Sequence, residues 1–386
     1  MDMLVLGGGL QGSACAYDLL QQEDVDRVTV ADADPGELPA FLRPADPALE
    51  RATVDFTDGE AVAGLMADHD VALSAAPYYF NADLARLAVE AGVDFSDLGG
   101  NTDIVFEQLE MDEAARDAGA TVIPDVGLAP GMVDVLAAEG IRRLDDAASV
   151  AMYVGGLPQH PRPPLDYQVV YSLEGTLDYY TTPSWIVRDG RRVQVEALSE
   201  VEPVEFDELG TLEAFHTAGG ASTLPWRYEG RVDRLEYKTL RYPGHAEIMR
   251  AIRDLGLLDE APRAVEGPEG PTEVVPRDVF IACASPHLTR PEEPDLVALR
   301  VVARGLRDGR PARLVWELVD REDEATGITA MMRCTGYTLA IVGLMMGRGE
   351  IGEAGVFAPD RILPAADYLD ALAERGVRVR FEETEG

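Results

Sequence analysis

The chain begins with a short apolar run that leads directly into a glycine-rich turn. Met3-Leu4-Val5-Leu6 has the pattern of a buried strand, and Gly7-x-Gly9-x-x-Gly12 follows it, ahead of a helical pattern that reaches about Leu20. In this kind of turn the first glycine permits a tight bend, the second lets a diphosphate approach the backbone, and the third lets helix and strand pack closely. The start of the helix attracts phosphate groups. These features predict a dinucleotide-binding βαβ unit whose cofactor contacts are Gly7, Gly9, Leu10, Gln11 and Gly12.

An acidic residue at the end of the second predicted strand supports that prediction. Asp32 follows Gly12 by twenty residues, where a carboxylate accepts hydrogen bonds from the hydroxyls of the adenosine ribose. Asp34 is close to it in the chain and no arginine or lysine adjoins it, so a ribose 2′-phosphate would meet two carboxylates and no cation. The predicted cofactor is therefore NAD rather than NADP. The alternative is a glycine turn in an unrelated α/β domain.

Strand and helix patterns alternate up to residue 123. Strands are predicted at Val28–Val30, Thr53-Val54, Val71–Leu73, Val93–Phe95 and Thr121–Ile123, with helices at Asn81–Ala91 and about Phe106–Ala118. This alternation is typical of a parallel sheet and predicts an α/β protein with a doubly wound Rossmann fold. Ligands bind beyond the carboxyl ends of such strands. The cofactor contacts predicted at those ends are Ala75, Ala76, Pro77, Gly99, Asn101 and Gly127.

A different pattern occupies residues 148 to 320. Strands are predicted at Val150–Val154, Gln168–Tyr171, Arg192–Val195, Val279–Ala284, Leu296–Ala303 and Ala312–Val319, with a helix at Ala246–Leu257 and a surface loop at Glu266–Thr272. Asp189-Gly190 and Asp308-Gly309 are typical hairpin turns. The pattern predicts an antiparallel sheet with a few helices, followed by helices at Thr329–Met346 and Ala365–Arg375. We therefore expect a Rossmann domain at 1–128, completed by the C-terminal helices of 329–386, and an inserted α+β domain at 129–328.

The basic residues are almost all of one type. Lys238 is the only lysine among 33 basic residues, and it is predicted to share a Pro-Gly loop with Arg241 and His245. Arginine keeps its proton, whereas a lysine ammonium can lose it when buried, so Lys238 is a candidate general base and His245 a second one. Arg241 is a candidate clamp for a substrate carboxylate. The alternative for Lys238 is a chance survivor of composition bias, for His245 a packed side chain, and for Arg241 an internal ion pair.

The net charge of −37 excludes several classes of partner. Nucleic acids and anionic membranes attract concentrated positive charge, so neither is expected as the main partner. Because 46% of the residues are hydrophobic, the chain should fold, and its acidic surface is typical of a protein from a salt-rich cytoplasm. The three cysteines have no metal-binding or disulfide spacing. No signal peptide or membrane-spanning run is predicted, and no metal site.

Several segments together resemble the saccharopine dehydrogenase superfamily, and most closely its lysine 6-dehydrogenase-like branch. They span nearly the whole chain in order: Gly7–Gly12, Asp125–Met132, Glu213–Thr217 with Ser222–Pro225, Tyr237–His245 and Met332–Gly336. The resemblance implies a Rossmann domain with an inserted domain that binds a small amino-acid substrate and forms a homodimer. It also implies NAD(P)-linked chemistry at a carbon–nitrogen bond. Tyr180 and Thr217 are the further substrate-binding residues expected on this basis.

The resemblance leaves the substrate open. In the lysine 6-dehydrogenase branch the ε-carbon of L-lysine is oxidised and ammonia is released, and this is the expected reaction. In the saccharopine and carboxynorspermidine branches the nitrogen is a secondary amine instead. A third reading, of another class, is an NAD-binding redox sensor without catalytic activity.

Overall fold

The computed structural model describes residues 1–34, 36, 38–42, 46–267 and 270–385. The strands in chain order are β1 Asp2–Leu6, β2 Arg27–Asp32, β3 Leu49–Thr53, β4 Val71–Ser74, β5 Asp94–Asp97, β6 Thr121–Ile123, β7 Asp146–Pro158, β8 Ser184–Arg188, β9 Arg191–Val195, β10 Glu202–Phe206, β11 Gly210–His216, β12 Arg234–Arg241, β13 Arg263–Gly267, β14 Gly270–Val274, β15 Asp295–Arg307, β16 Arg310–Arg321, β17 Gly355–Val356 and β18 Arg380–Glu385.

The helices lie between these strands and at the C-terminal end. In chain order they are α1 Leu10–Leu19, α2 Gly59–Ala67, α3 Asn81–Ala91, α4 Thr102–Leu109, α5 Asp112–Ala118, α6 Met132–Arg142, α7 Leu173–Thr181, α8 Leu224–Tyr228, α9 His245–Asp254, α10 Pro276–Leu288, α11 Ala330–Gly347, α12 Pro359–Ile362 and α13 Ala365–Glu374. A single 3₁₀ turn, Tyr78–Phe80, precedes α3 in the described chain.

The first sheet is entirely parallel and has the order β17-β6-β5-β4-β1-β2-β3 within the described residues. Its central strands are apolar because helices cover both of their faces, and Met3 to Leu6 are fully buried. The strand order reverses between β1 and β4, which is where doubly wound sheets bind dinucleotides. The predicted Rossmann fold is confirmed.

The second sheet follows the order β10-β11-β12-β7-β15-β16-β18, with the β8–β9 hairpin paired to β12. Most of its pairs are antiparallel, and the two predicted Asp-Gly turns join β8 to β9 and β15 to β16. The predicted antiparallel sheet is confirmed for these pairs, and the exception is that β7 and β12 are parallel neighbours. The connection from β7 to β12 contains the hairpins β8–β9 and β10–β11.

Three local predictions in this region were wrong. Gln168–Tyr171 forms no strand and leads into α7, and Val279–Ala284 lies inside α10. A short apolar run does not distinguish strand from helix by its period, and Pro276 at the start of α10 favours the helix. The predicted loop at Glu266–Thr272 falls on an exposed hairpin, β13–β14, with residues 268 and 269 outside the described chain.

The helix α11 joins the two sheets. It packs closely on α1, where a side chain at Gly336 would meet the backbone oxygen of Gln11 at 2.6 Å, and it also contacts strands of both sheets. By length and composition α11 could cross a membrane, but 83% of it is buried inside the protein. The C-terminal segment contributes one strand to each sheet: β17 pairs with the parallel sheet and β18 with the second sheet. The predicted domain limits stay a prediction.

Candidate active site

The glycine turn after β1 forms a cradle for a dinucleotide. Gly7 has a φ of +106°, and a side chain at Gly12 would lie 1.9 Å from the Gly7 oxygen, so the backbone adopts a shape that larger residues would block. Asp32 at the end of β2 accepts a hydrogen bond from the Gly8 nitrogen at 2.7 Å. The predicted residues Gly7 to Gly12 and Asp32 are therefore brought to one place, as a dinucleotide requires.

The other predicted cofactor contacts lie along the same edge of the sheet. Ala75, Ala76 and Pro77 follow β4, directly beside the glycine turn. Gly99 and Gly127 follow β5 and β6, and both line a cavity at that edge. Asn101 instead caps the start of α4, because its side-chain oxygen accepts hydrogen bonds from the nitrogens of Asp103 and Ile104.

The cavity lies between the carboxyl edge of the parallel sheet and the inner face of the second sheet. Its volume is about 220 Å³. Gln11, Gly99 and Gly127 line it from one side, and Tyr180, Thr217 and Arg241 from the other. Both polar side-chain atoms of Gln11 are buried without a hydrogen-bond partner. Open amide groups beside a glycine cradle fit a bound dinucleotide that reaches into this cavity.

Arg241 is a buried cation without an anionic partner in the described structure. It is 5% exposed, and its Nε and Nη1 atoms donate to the Tyr180 hydroxyl at 3.1 Å and to the Leu240 carbonyl at 2.9 Å. Its guanidinium also lies over the ring of Tyr167, 4.6 Å from the centroid. A buried charge is costly unless it is paired. The chain has 70 acidic residues, yet none of those described pairs with Arg241. The free guanidinium therefore indicates a binding site for an anionic ligand.

Behind Arg241, a chain of hydrogen bonds holds the guanidinium in position. His245 Nδ1 lies 3.1 Å from the Leu165 carbonyl and must donate to it, so the Nε2 atom accepts from the Tyr180 hydroxyl at 3.0 Å. Burial, together with the charge of Arg241, lowers the pKa of His245 to about 3. A neutral imidazole with both nitrogens bonded inside the protein is poorly placed to act as the predicted base, and His245 does not line the cavity.

Lys238 faces away from the cavity. Tyr237, Thr239 and Arg241 line the cavity, and side chains alternate across a strand, so the side chain between them points to the opposite face of the sheet. There Lys238 Nζ donates to the Glu202 carboxylate at 2.7 Å and to the Glu200 carbonyl at 2.9 Å. The predicted Pro-Gly loop is wrong for Lys238 and Arg241, which lie in the buried strand β12, whereas Pro243-Gly244 joins this strand to α9. This placement favours an ion pair over the predicted catalytic role.

The same outer face holds His216 between the carboxylates of Glu200 and Glu236, close enough together to suggest a metal site. Both carboxylates are already bonded to arginines, Glu200 to Arg188 at 2.7 Å and Glu236 to Arg234 at 2.8 Å. The positive charges of Arg188 and Arg234 balance the negative charges of these two carboxylates. Burial, followed by the charge of the nearby lysine, lowers the pKa of His216.

Asp125 is a buried titratable residue beside the cavity that was not among the site residues predicted from the sequence. It follows β6, its side chain accepts a hydrogen bond from the Ser222 hydroxyl, and its other oxygen has no partner. A side chain at Gly99, in the cavity wall, would collide with it at 1.6 Å, so it lies directly behind that wall. Burial and the charge of Asp97 raise its pKa to about 7, against the effect of the Ser222 hydrogen bond. Its position after a parallel strand was the available signal.

A glycine cradle beside a cavity with one buried arginine defines a dinucleotide-dependent dehydrogenase, and comparisons with known proteins identify the family. The saccharopine dehydrogenase NADP binding domain matches residues 3–123, and the saccharopine dehydrogenase C-terminal domain matches residues 127–377. The chain therefore belongs to the saccharopine dehydrogenase family. It is an oxidoreductase that uses a nicotinamide cofactor.

Individual relatives are distant but similar along their length. A saccharopine dehydrogenase (NADP⁺, L-glutamate-forming) from Schizosaccharomyces pombe is 22% identical over 98% of both chains, and a carboxynorspermidine synthase from Vibrio alginolyticus is 21% identical over 100% of this chain and 98% of its own. The apo saccharopine dehydrogenase structure from Saccharomyces cerevisiae has a TM-score of 0.81 at 21% identity and covers 99% of both chains. The homospermidine synthase from Legionella pneumophila, in complex with NAD, has a TM-score of 0.70 at 12% identity, over 100% of this chain and 92% of its own. These likenesses to solved structures show the fold.

Proposed function

We propose that the protein oxidises a carbon–nitrogen bond of an amino acid, with NAD as the hydride acceptor. The observation behind this proposal is the unpaired guanidinium of Arg241, which lies in a cavity that also reaches the dinucleotide cradle. A carboxylate bound by Arg241 would place the rest of an amino acid toward Gly99 and Gly127, at the edge where the nicotinamide would bind. Orientation of this kind supplies much of the rate enhancement in hydride transfer.

The bound cofactor would supply the hydride chemistry, and the residues around the cavity have three other tasks. Arg241 binds the carboxylate, with Tyr180 and His245 keeping the guanidinium in place. The apolar and aromatic walls exclude water from the reacting atoms. A nearby base takes the proton of the substrate ammonium, because only a neutral amine can donate its lone pair as the hydride leaves.

Asp125 is the residue we propose for that base. Its pKa of about 7 would let it exchange a proton near neutral pH, and it lies directly behind the cavity wall at Gly99. Lys238 and His245, the bases expected from the sequence, are bonded inside the protein and do not line the cavity. Movement of the flanking glycine turn would give Asp125 access to the amine.

The amine class has two candidates. Oxidation of a primary amine at the ε-carbon of L-lysine is the reaction expected from the sequence resemblance. Relatives named saccharopine dehydrogenase and carboxynorspermidine synthase favour the alternative of a secondary amine.

The choice of NAD depends on Asp32, whose carboxylate stands where the adenosine ribose would bind and would repel a 2′-phosphate. Two observations favour NADP instead. The matching family model is described as NADP binding, and Arg51 from β3 donates to the Gly36 carbonyl at 3.3 Å, beside the loop that follows Asp32. Arg51 belongs to the next strand, so its position beside this loop is not evident from the residues around Asp32.

The proposal is tested by following nicotinamide absorbance while NAD or NADP is mixed with amino acids and diamines in a high-salt buffer. Formation of reduced cofactor with an amino acid, with kcat/KM lowered in Arg241→Gln, is the expected result. Tight NAD binding without turnover of any amine would instead favour the redox sensor.

A further inference from the structure

The described side chains that line the cavity include only one charged group. Among the described residues that line it, Arg241 is the single cation, and no aspartate or glutamate lines it at all. The other polar side chains are neutral, namely the amide of Gln11 and several hydroxyls, which include those of Tyr171, Tyr179 and Tyr237. Burial raises the pKa of Tyr237 to about 12, so this hydroxyl keeps its proton at neutral pH.

The guanidinium has room for one carboxylate. Nε and one Nη1 hydrogen are bonded within the protein, which leaves the Nη2 hydrogens and a second Nη1 hydrogen for a ligand. A planar fork of this kind matches a single carboxylate in a bidentate arrangement. A second carboxylate would have no cation to pair with.

Two helices that begin at the cavity wall offer no alternative anion site. At the start of α11, the Ala330 and Met331 nitrogens donate to the Asp295 carboxylate at 2.6 and 2.9 Å. At the start of α6, the Gly131 nitrogen donates to Asp134 at 2.8 Å. Helix N-termini attract anions through free N–H groups, but here protein carboxylates and carbonyls already accept from these groups, since the Met132 and Val133 nitrogens of α6 donate to the Gly127 and Leu128 carbonyls.

Resting on the proposed function, we infer that the substrate carries a single carboxylate and that tricarboxylate amines such as saccharopine are excluded. Each additional carboxylate would lose its water in this cavity without gaining a cation, which is costly. The specificity follows from the charges of the cavity and applies to primary and secondary amines alike.

A matched set of substrates separates the number of carboxylates from the class of amine. The set consists of cadaverine with none, L-lysine and Nε-methyl-L-lysine with one, Nε-carboxymethyl-L-lysine with two, and L-saccharopine with three. The purified full chain is assayed with saturating NAD, and with NADP in parallel, and kcat/KM is measured for each.

We expect kcat/KM for the better one-carboxylate substrate to exceed the values for cadaverine, carboxymethyl-lysine and saccharopine by at least about 100-fold, as an unpaired buried charge predicts. Saccharopine or carboxymethyl-lysine as the best substrate would overturn the inference and leave the proposed function intact. If no member of the set reduced the cofactor, the proposed function itself would fall, and this inference with it.

A variant then tests the role of the guanidinium. In Arg241→Gln the preference for L-lysine over cadaverine should shrink to less than about tenfold, since the charge that recognises the carboxylate is gone. Arg253→Gln is the control, because Arg253 pairs with Asp254 on α9 and does not line the cavity. An unchanged preference in Arg241→Gln would show that another group recognises the carboxylate.

Discussion

The Tyr180 hydroxyl lies 3.1 Å from Arg241 Nε and 3.0 Å from His245 Nε2, so it accepts from the first and donates to the second. One hydroxyl thereby joins a charged group in the cavity to a neutral histidine behind it. Burial raises the pKa of Tyr180 to about 12, which keeps the donated proton on the oxygen at neutral pH. The orientation of the guanidinium therefore depends in part on His245, which does not line the cavity.

Removing that hydroxyl should weaken substrate binding more than catalysis. In Tyr180→Phe we expect KM for the amino acid to rise about tenfold with little change in kcat, since a hydrogen bond to a charged group is lost. Steady-state kinetics at saturating NAD measure the two constants. Tyr368→Phe is the control, because Tyr368 is equally buried and bonds Thr338 outside the cavity. Equal effects in both variants would argue for a general loss of packing.

Lys238→Arg should keep its activity. The side chain points away from the cavity and pairs with Glu202, and arginine can form the same ion pair. We expect kcat to stay within about threefold of wild type, whereas loss of a general base typically costs about 10²–10⁴-fold. A fall of that larger size, with unchanged NAD affinity and melting temperature, would return Lys238 to the reacting centre.

The Ser222–Asp125 hydrogen bond should set the acidic limb of the pH profile. As the proposed base, Asp125 must be ionised to accept the proton of the amine, so kcat/KM should rise with pH through about 7. The Ser222 hydroxyl stabilises the carboxylate, so Ser222→Ala should move this limb upward by about one pH unit. Ser199→Ala, at a hydroxyl outside the cavity, is the control. A limb that stays in place would remove Asp125 from the proton transfer.

The same residue links stability to pH. Because the pKa of Asp125 in the folded protein, about 7, lies above its ordinary value of 3.8, the stability from its bound proton is complete below about pH 4 and is lost as the pH rises to 7. Asp125→Asn, which cannot ionise, should therefore lose less unfolding free energy than wild type between pH 5 and pH 8. Urea unfolding at the two pH values measures the difference.

Asp32 and Arg51 should have opposite effects on cofactor choice. Asp32→Ala removes the expected partner of the ribose hydroxyls, so NAD should bind more weakly by about 1–3 kcal/mol while NADP binds better. Arg51→Ala should weaken NADP binding and leave NAD binding almost unchanged. Titration of both cofactors in high salt measures these affinities. Wild-type protein that binds NADP more tightly than NAD would show that the choice of NAD is wrong.

The net charge of −37 should make the fold depend on salt. Lowering KCl from molar concentration to about 0.1 M lengthens the screening distance to roughly 10 Å, so the acidic surface repels itself more strongly. We therefore expect the melting temperature to fall. The measurement is a series of melting curves at fixed pH, and a melting temperature that does not change with salt would contradict the halophilic reading.

The sequence by itself determined the Rossmann fold and the position of the cofactor cradle. Gly7, Gly12 and Asp32 act through backbone shape and through strand ends, and both are set by residues close together in the chain. The family was also recognisable, because its motifs occur in order along the chain. The hairpins at Asp189-Gly190 and Asp308-Gly309 followed from local turn chemistry in the same way.

The tertiary structure decided which polar residues share a cavity. Lys238 and Arg241 are three residues apart, and the alternation of side chains in β12 places them on opposite faces of one sheet, which a loop prediction could not foresee. Asp125 and Ser222 meet only because the second domain folds over the end of β6. Charge pairing, burial and the resulting pKa values depend on such distant contacts, so the choice between a structural ion pair and a reactive group required the folded protein.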